Sequence, residues 1–251
     1  TIEGAIVSLA GKLDSLAGNF AVGQAPTGSA DPFALRRQAL GAIRIALEQQ
    51  LPIDLSQALA QALSLQPAVC DQAAVLKELI DFVWGRAQSL FEEKGFRVDE
   101  IRSVKADALI SLPRTYLRLS AIHSVRQNPD FEPLAAAFKR AANILRQAHI
   151  VLADTPTPDR SLLREPAEVA LFDAISAADG QVQEKLIGGD YEAGLKTLVG
   201  IKPHLDRFFE GVMVMAEDAE LRRQRLGLLA KLVLMFNRAA DFYEIQGPAS
   251  N

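Results

Sequence analysis

Residues 217–232 read EDAELRRQRLGLLAKL, and this stretch predicts an α-helix that begins after an acidic cap. The Asp218 carboxylate is suited to accept hydrogen bonds from the free N–H groups of the first turn, and Glu217 and Glu220 complement the positive end of the helix dipole. Apolar residues then recur at helical spacing and predict a buried stripe, namely Leu221, Leu228, Leu232, Phe236 and Ala239, beside Leu229 and Val233.

Three arginines, Arg222, Arg223 and Arg225, crowd the first two turns of the same helix. On periodicity alone, an ordinary surface helix with its charges in water accounts for this pattern, because most amphipathic helices bind nothing in particular. An RNA-binding helix is the alternative, and other parts of the chain have to decide between the two.

Two further segments support the RNA-binding interpretation. Residues 138–145 read FKRAANIL, and residues 31–41 read DPFALRRQALG. Together with residues 217–232, and in this order along the chain, they resemble the C-terminal part of bacterial glycyl-tRNA synthetase beta subunits. Shorter matches support the resemblance: KLDSL at 12–16, PTGS at 26–29 and FFEGVMV at 208–214. The helix after Asp218 is similar to the DALR helix of synthetase anticodon-binding domains.

Composition sets bounds on the class of protein. The 251 residues, 49% of them hydrophobic, are enough for one large or two modest cores. The single cysteine, Cys70, excludes an internal disulfide and has no histidine or cysteine beside it, so we expect a packed side chain in a reducing compartment. No apolar run has the length of a membrane span, and we expect a cytoplasmic protein. Residue 1 is not methionine, so we expect a piece of a longer polypeptide.

The chain is predicted to be almost entirely helical, because alanine, leucine, glutamine, glutamate and arginine dominate and no sustained period-two alternation occurs. We predict helices at 31–50, 54–64, 69–94, 97–107, 112–126, 131–153, 165–187, 190–199, 203–214 and 218–243. Residues 154–164 are expected to form an exposed connector. The fold class is therefore all-α, with multi-helix bundles.

Three segments are predicted along the chain. By resemblance, residues 1–66 are the trailing part of a helical domain similar to HD phosphohydrolases, and residues 131–251 are a DALR-like anticodon-binding bundle. Residues 67–130 are expected to form bridging helices between them.

A catalytic or metal centre is not expected. HD-type sites need a histidine pair, a His-Asp dipeptide and a distant aspartate, and none of the three histidines, His123, His149 and His204, precedes an aspartate. Asp14 resembles the distant aspartate, but we expect it to cap a helix or to pair with Lys12 or Arg37. His149 is expected to be partly buried and to have no chemical role.

The candidate tRNA-binding residues are cationic or amide side chains on the resembling segments. On the segment 138–145 they are Lys139, Arg140 and Asn143, for which a solvated face or a helix-helix contact is the alternative. In the last helix they are Arg222, Arg223, Arg225 and Arg238, although Arg238 could instead pair with Asp241 or Glu244. Arg36 and Arg37 are second-rank candidates on a helix that Asp31 is expected to cap, with Pro32 at its first position.

A net charge of −4 argues against a general nucleic-acid binder, but a local basic patch can still recognise an RNA. The resemblance implies anticodon and stem contacts with tRNA-Gly, in a beta subunit that works with an alpha subunit and with the remainder of the beta chain. ATP and magnesium would act at the alpha subunit, with no cofactor, membrane or DNA bound by this part. Two alternatives remain open: a structural helical module for subunit assembly, and a relic HD-type metal phosphohydrolase.

Overall fold

A computed structural model describes residues 1–67 and 71–246 of the chain. Across those residues the structure is helical, with no strand in either range. Helices lie at Ile2–Ala21 (α1), Leu35–Glu48 (α2), Leu55–Ser64 (α3), Gln72–Glu93 (α4), Val98–Ser103 (α5), Leu112–Val125 (α6), Phe131–Gln147 (α7), Pro166–Ile187 (α8), Tyr191–Val199 (α9), Lys202–Gly211 (α10) and Ala219–Asn237 (α11). The all-α prediction is confirmed. Cys70 and the predicted start of a helix at residue 69 lie outside the described residues.

The chain forms two compact units, Thr1–Leu117 and Arg118–Asn251. In the first unit, α4 packs against α1, α2 and α3. Its core includes Leu16, Ile43 and Leu59, none of which is exposed to solvent. The predicted division at residues 66 and 131 stays a prediction.

Helix α1 is absent from the helices predicted from the sequence, although one face of it is well packed. Glycines at positions 4, 11 and 18 lower its intrinsic helix propensity. Leu9, Leu13, Leu16, Ala17 and Phe20 nevertheless lie on one buried face of the helix. Burial of that face against α2 and α3 outweighs the weak propensity.

The start of α2 also differs from the prediction. The helix begins at Leu35 after Ala34, which has a left-handed backbone with φ of 54°. Pro32 is therefore not the first helical residue. The Asp31 carboxylate still caps the helix from four residues upstream, because it accepts hydrogen bonds from the N–H groups of Leu35 (2.7 Å) and Arg36 (3.1 Å).

In the second unit, α11 is surrounded by its neighbours rather than lying on the surface. Twelve of its nineteen residues are buried, and they include the polar Gln224 and Arg225. Aromatic rings join α11 to α7 and to the segment after α11: the Phe138 and Phe236 ring centroids are 5.4 Å apart, and the Phe236 and Phe242 centroids 5.0 Å. The prediction of a single buried stripe is therefore too narrow.

α7 and α11 end well before their predicted last residues. α7 ends at Gln147 rather than at 153, because the N–H of Ile150 turns back to the Leu145 carbonyl (2.9 Å) and His149 takes a left-handed conformation with φ of 54°. α11 ends at Asn237 rather than at 243, and the chain reverses so that Phe242 reaches the core. Residues 152–154 and 160–162 form short 3₁₀ turns in the connector between α7 and α8.

Candidate nucleic-acid interface

The N-terminus of α11 is capped as its sequence predicts. The Asp218 carboxylate accepts hydrogen bonds from the N–H groups of Glu220 (3.0 Å) and Leu221 (3.1 Å), and Arg164 donates to its second oxygen at 2.7 Å. The Leu221 N–H, followed by the Arg164 guanidinium, lowers the pKa of Asp218 from its usual value. The cap fixes the first residue of α11 and therefore the positions of Arg222 and Arg223 on the helix.

Arg222 and Arg223 lie beside an open groove, each with one hydrogen-bond partner. Arg222 donates to the carbonyl of Ala216 at 2.9 Å, and Arg223 pairs with Glu220 at 2.8 Å. The hydrogen bond from Arg223 is the main cause of a lowered Glu220 pKa. The Arg223 side chain is 60% exposed, so its guanidinium keeps donors available to a ligand.

The groove has a volume of about 420 Å³ and is formed by the first two turns of α11 and the segment after α7. Besides Arg222 and Arg223, its walls include His149, Val151, Asp154 and Thr155. His149 is exposed, not partly buried as predicted, because the left-handed turn directs the chain away from α7 after Gln147. The groove thus combines cations, an imidazole, an acceptor carboxylate and apolar surface.

The connector that borders the groove is held against α11. The side-chain oxygen of Gln224 accepts a hydrogen bond from the Asp159 N–H at 2.7 Å. Gly227 faces the same segment so closely that a Cβ atom there would lie 3.1 Å from the Pro156 carbonyl oxygen. Pro158 is buried. Most residues of the connector are exposed, as predicted, although Pro158 and Leu163 are buried.

Arg225 has a different environment from its two neighbours. Its guanidinium forms an ion pair with Glu168 of α8 and donates to the Met213 carbonyl at 2.6 Å. The arginine side chain is 6% exposed and the glutamate side chain is fully buried. The second Glu168 oxygen accepts from the N–H groups of Arg164 (2.7 Å) and Glu165 (2.9 Å), at the start of α8. Arg225 thus links α11 to α8 inside the second unit.

Comparison with known proteins identifies the family. Residues 1–106 match the model of the glycyl-tRNA synthetase beta subunit, and residues 134–248 match the DALR anticodon binding domain. The chain is 40% identical to the glycine--tRNA ligase beta subunit of Histophilus somni (strain 129Pt) over 240 residues, which are 96% of the chain and 34% of that protein. The chain belongs to the glycyl-tRNA synthetase beta subunit family.

Other members of the family show a similar degree of likeness. The glycine--tRNA ligase beta subunit of Ralstonia nicotianae is 37% identical over 98% of the chain and 35% of its own length. That of Aromatoleum aromaticum is 41% identical over 94% of the chain and 34% of its own length. The chain therefore spans about a third of the length of these relatives. The predicted resemblance is confirmed.

The candidate residues on α7 lie within the DALR match. Arg140 stacks on the Phe209 ring, with its guanidinium carbon 4.3 Å from the ring centroid. The Asn143 side-chain oxygen accepts hydrogen bonds from Arg146 (2.9 Å) and from the Tyr243 hydroxyl, rather than meeting a backbone group across a helix contact. Lys139 is half-buried on the same helix.

The remaining candidates lie apart from the groove. Arg238 pairs with Asp179 of α8 at 2.7 Å, instead of with a residue on its own helix. Within the beta-subunit match, Arg36 donates to the Gly28 carbonyl at 2.6 Å and so holds the turn that precedes α2. Arg37 is exposed in the first unit. The structure thus places only Arg222 and Arg223 of the nine candidates on the groove.

Asp14 does not meet a metal-binding partner in the described ranges. Its carboxylate accepts a hydrogen bond from the Gln66 side chain at 3.0 Å, where the sequence suggested a cap or an ion pair. Between residues 1 and 67 and between 71 and 246, no group of three or more histidine, cysteine, aspartate or glutamate side chains is placed to hold a metal ion. The same ranges contain no helix long and apolar enough to cross a membrane.

The groove residues His149, Val151, Asp154 and Thr155 are absent from the sequence-based candidates. The prediction of a helix through residue 153 places the first two on the α7 surface, so the sequence does not predict their convergence with Arg222 and Arg223. A signal is present in the run from Asp154 to Pro158, which contains two Thr-Pro pairs and is incompatible with a continuing helix.

Proposed function

We propose that the second unit binds tRNA-Gly at its anticodon, as part of a glycine-tRNA ligase beta subunit that supports ATP-dependent aminoacylation. The observation that carries this proposal is the groove beside Arg222 and Arg223, which lies within the residues that match the DALR anticodon binding domain. The exposed Arg223 guanidinium and the partly exposed Arg222 guanidinium, beside a concave surface, suit the phosphates and unpaired bases of an RNA loop.

The second unit has a net charge of −2, with 16 lysine and arginine residues against 18 aspartate and glutamate residues in 118–251. A long-range attraction of the whole unit for RNA is therefore not expected. Local contacts have to provide the affinity, and Arg222, Arg223, Lys139 and Arg140 are the side chains we propose for them. Arg225 and Arg238 are not included, because each is committed to a carboxylate of α8.

Binding to this unit would orient the tRNA so that its acceptor end reaches the alpha subunit, where ATP and glycine are consumed. The unit would then need no catalytic group of its own, and it would act in the cytoplasm together with the remainder of the beta subunit. This division of labour follows from the family resemblance and belongs to the proposal.

A salt titration of tRNA binding tests the proposal. We expect the full 251-residue chain to bind tRNA-Gly more tightly than an unrelated tRNA or a tRNA-Gly with an altered anticodon, and the affinity to fall as salt rises. Replacing Arg222 and Arg223 by alanine should reduce the slope of log K against log salt by about 1 for each phosphate that is no longer bound. Lys196→Ala with Arg207→Ala removes two positive charges elsewhere in the unit and serves as the control. Binding that is indifferent to the anticodon would overturn the proposal.

A second function, assembly with the rest of the enzyme, is favoured for the first unit by an apolar groove of about 550 Å³. Ile6, Leu9, Leu13, Ile53 and Leu65 lie along it, and the Leu65 side chain is 78% exposed. Since the chain spans about a third of its relatives' length, we propose that the remainder of the beta subunit packs here. Ile6→Asp with Leu65→Asp should abolish association with the separately expressed remainder, and unchanged association would exclude this surface.

A further inference from the structure

His149 has an unfavourable backbone conformation, and its side chain faces the groove. It follows α7 at the position where a left-handed residue ends a helix, and its N–H donates to the Arg146 carbonyl at 3.0 Å. Glycine is the usual residue there, because a Cβ atom makes the left-handed conformation costly. Gln50 occupies the equivalent position after α2, with φ of 51°. The backbone of His149 thus adopts a costly conformation, and its exposed imidazole lies on the wall of the groove.

The groove is lined by three kinds of side chain: apolar, positively charged and negatively charged. Val151 and Leu226 supply apolar surface, and Arg222 and Arg223 supply positive charge. Asp154 supplies a carboxylate to the groove wall, and no donor to it is found among residues 1–67 and 71–246. A volume of about 420 Å³ falls within the range of roughly 300–1,000 Å³ that is typical of sites for small molecules. A nucleotide has a flat apolar face, a polar base edge and a phosphate, which these three kinds of side chain match.

We propose that the groove binds one unpaired nucleotide, with its base stacked on the His149 imidazole and its exocyclic amino group donating to the Asp154 carboxylate. Arg222 and Arg223 bind the flanking phosphates. This inference rests on the proposed function and assigns the residues that recognise the base. Histidine is among the side chains on which unpaired RNA bases stack, and a carboxylate is a typical acceptor for the cytosine amino group.

The groove selects cytosine over uracil. An ionised carboxylate only accepts hydrogen bonds, so it pairs with the amino group at position 4 of cytosine and is repelled by the carbonyl oxygen that uracil has there. Every glycine codon begins with two guanines, so tRNAs for glycine carry two adjacent anticodon cytosines. One of these two bases is the ligand that the groove accepts.

Substitution of His149 separates stacking from a structural role. His149→Gly removes the ring and also relieves the left-handed strain, so we expect the melting temperature to stay constant or rise while the affinity for tRNA-Gly falls about tenfold, the usual loss for one stacked base. His149→Tyr should recover most of the affinity. Gln50→Gly makes the same backbone change away from the groove and should leave the affinity unchanged. Wild-type affinity in the His149→Gly chain would overturn the proposal.

Substitution of Asp154 tests base selection. We expect a change of one anticodon cytosine to uracil to weaken binding of the wild-type chain on the order of tenfold, and Asp154→Asn to reduce that penalty to about twofold, because an amide can also donate. Glu184→Gln removes an exposed charge from α8 and should leave the penalty intact. An unchanged penalty in Asp154→Asn would show that Asp154 does not read the base.

The experiments distinguish this inference from the proposed function. If the wild-type chain binds tRNA-Gly with the expected dependence on salt, Arg222 and Arg223 but is insensitive to the His149 and Asp154 variants, only the nucleotide site is overturned. If the wild-type chain does not bind tRNA-Gly, both proposals fail.

Discussion

The guanidinium of Arg225 in α11 and the carboxylate of Glu168 in α8 form an ion pair inside the second unit, 57 residues apart in sequence. Glu168 also accepts two backbone N–H groups at the start of α8, and Arg225 also donates to the Met213 carbonyl. Both charged groups are thus removed from water, but each has hydrogen-bond partners in the protein. The pair joins the beginning of α8 to the arginine-rich turns of α11, and so it positions the wall of the groove.

Arg225→Ala should destabilise the chain strongly, by about 3–5 kcal/mol, because it leaves the Glu168 carboxylate buried without its partner. The double substitution Arg225→Met with Glu168→Leu should recover much of that stability, since neither charge then has to be desolvated. Urea unfolding followed by circular dichroism measures both effects. The exposed Arg223→Ala is the matched control, and a similar loss of stability for Arg223→Ala would show that burial of the pair is not the cause.

Asp218→Asn should make the second unit less stable at neutral pH and less sensitive to acid. The Leu221 N–H and then Arg164 lower the pKa of Asp218 in the folded chain. A lowered pKa contributes stability above the unfolded-state value of about 3.9, and that contribution is lost as the pH falls through the lower folded-state pKa. The melting temperature, measured from neutral pH down to strong acid, should therefore differ between the two chains at neutral pH and converge in acid. A constant difference across that range would contradict this role.

Glycines in two helices of the second unit should respond differently to alanine. At Gly180 in α8 a Cβ atom would have no neighbour within 4 Å, so Gly180→Ala should stabilise the chain by about 0.5–1 kcal/mol through helix propensity. At Gly227 in α11 the Cβ atom would lie 3.1 Å from the Pro156 carbonyl oxygen and close to Pro158. We expect this steric contact to cancel the gain in helix propensity for Gly227→Ala. Urea unfolding of both variants tests the difference. Equal stabilisation by Gly180→Ala and Gly227→Ala would show that the connector moves aside at no cost in free energy.

Asp31→Ala should destabilise the first unit by about 0.5–2 kcal/mol, because it removes the acceptor for the N–H groups of Leu35 and Arg36. Pro32→Ala should have a smaller effect, since Pro32 lies before the helix rather than at its first position. Thermal unfolding of the two variants compares them directly. A larger loss of stability for Pro32→Ala would favour the sequence-based view, in which proline starts the helix.

The sequence predicted features that depend on residues close together in the chain. Asp218 caps the helix that follows it, as predicted. Asp190 caps α9 in the same way, directly after Gly188 and Gly189 end α8. These features depend on backbone groups within about four residues, so their signals are contained in short stretches.

The tertiary structure alone decided which of the similar arginines remain available to a ligand. Arg222, Arg223 and Arg225 lie within four positions of one another, yet Arg225 is buried against Glu168, and Arg238 is paired with Asp179, 59 residues away. The groove likewise forms because the left-handed turn at His149 brings Asp154 to the start of α11. Helical periodicity places a side chain on a face of its own helix, but whether that face meets a carboxylate, an aromatic ring or solvent depends on how distant helices pack. The sequence by itself therefore determined the family, the helical class and the helix caps, and only packing between distant segments determined the groove and the residues that line it.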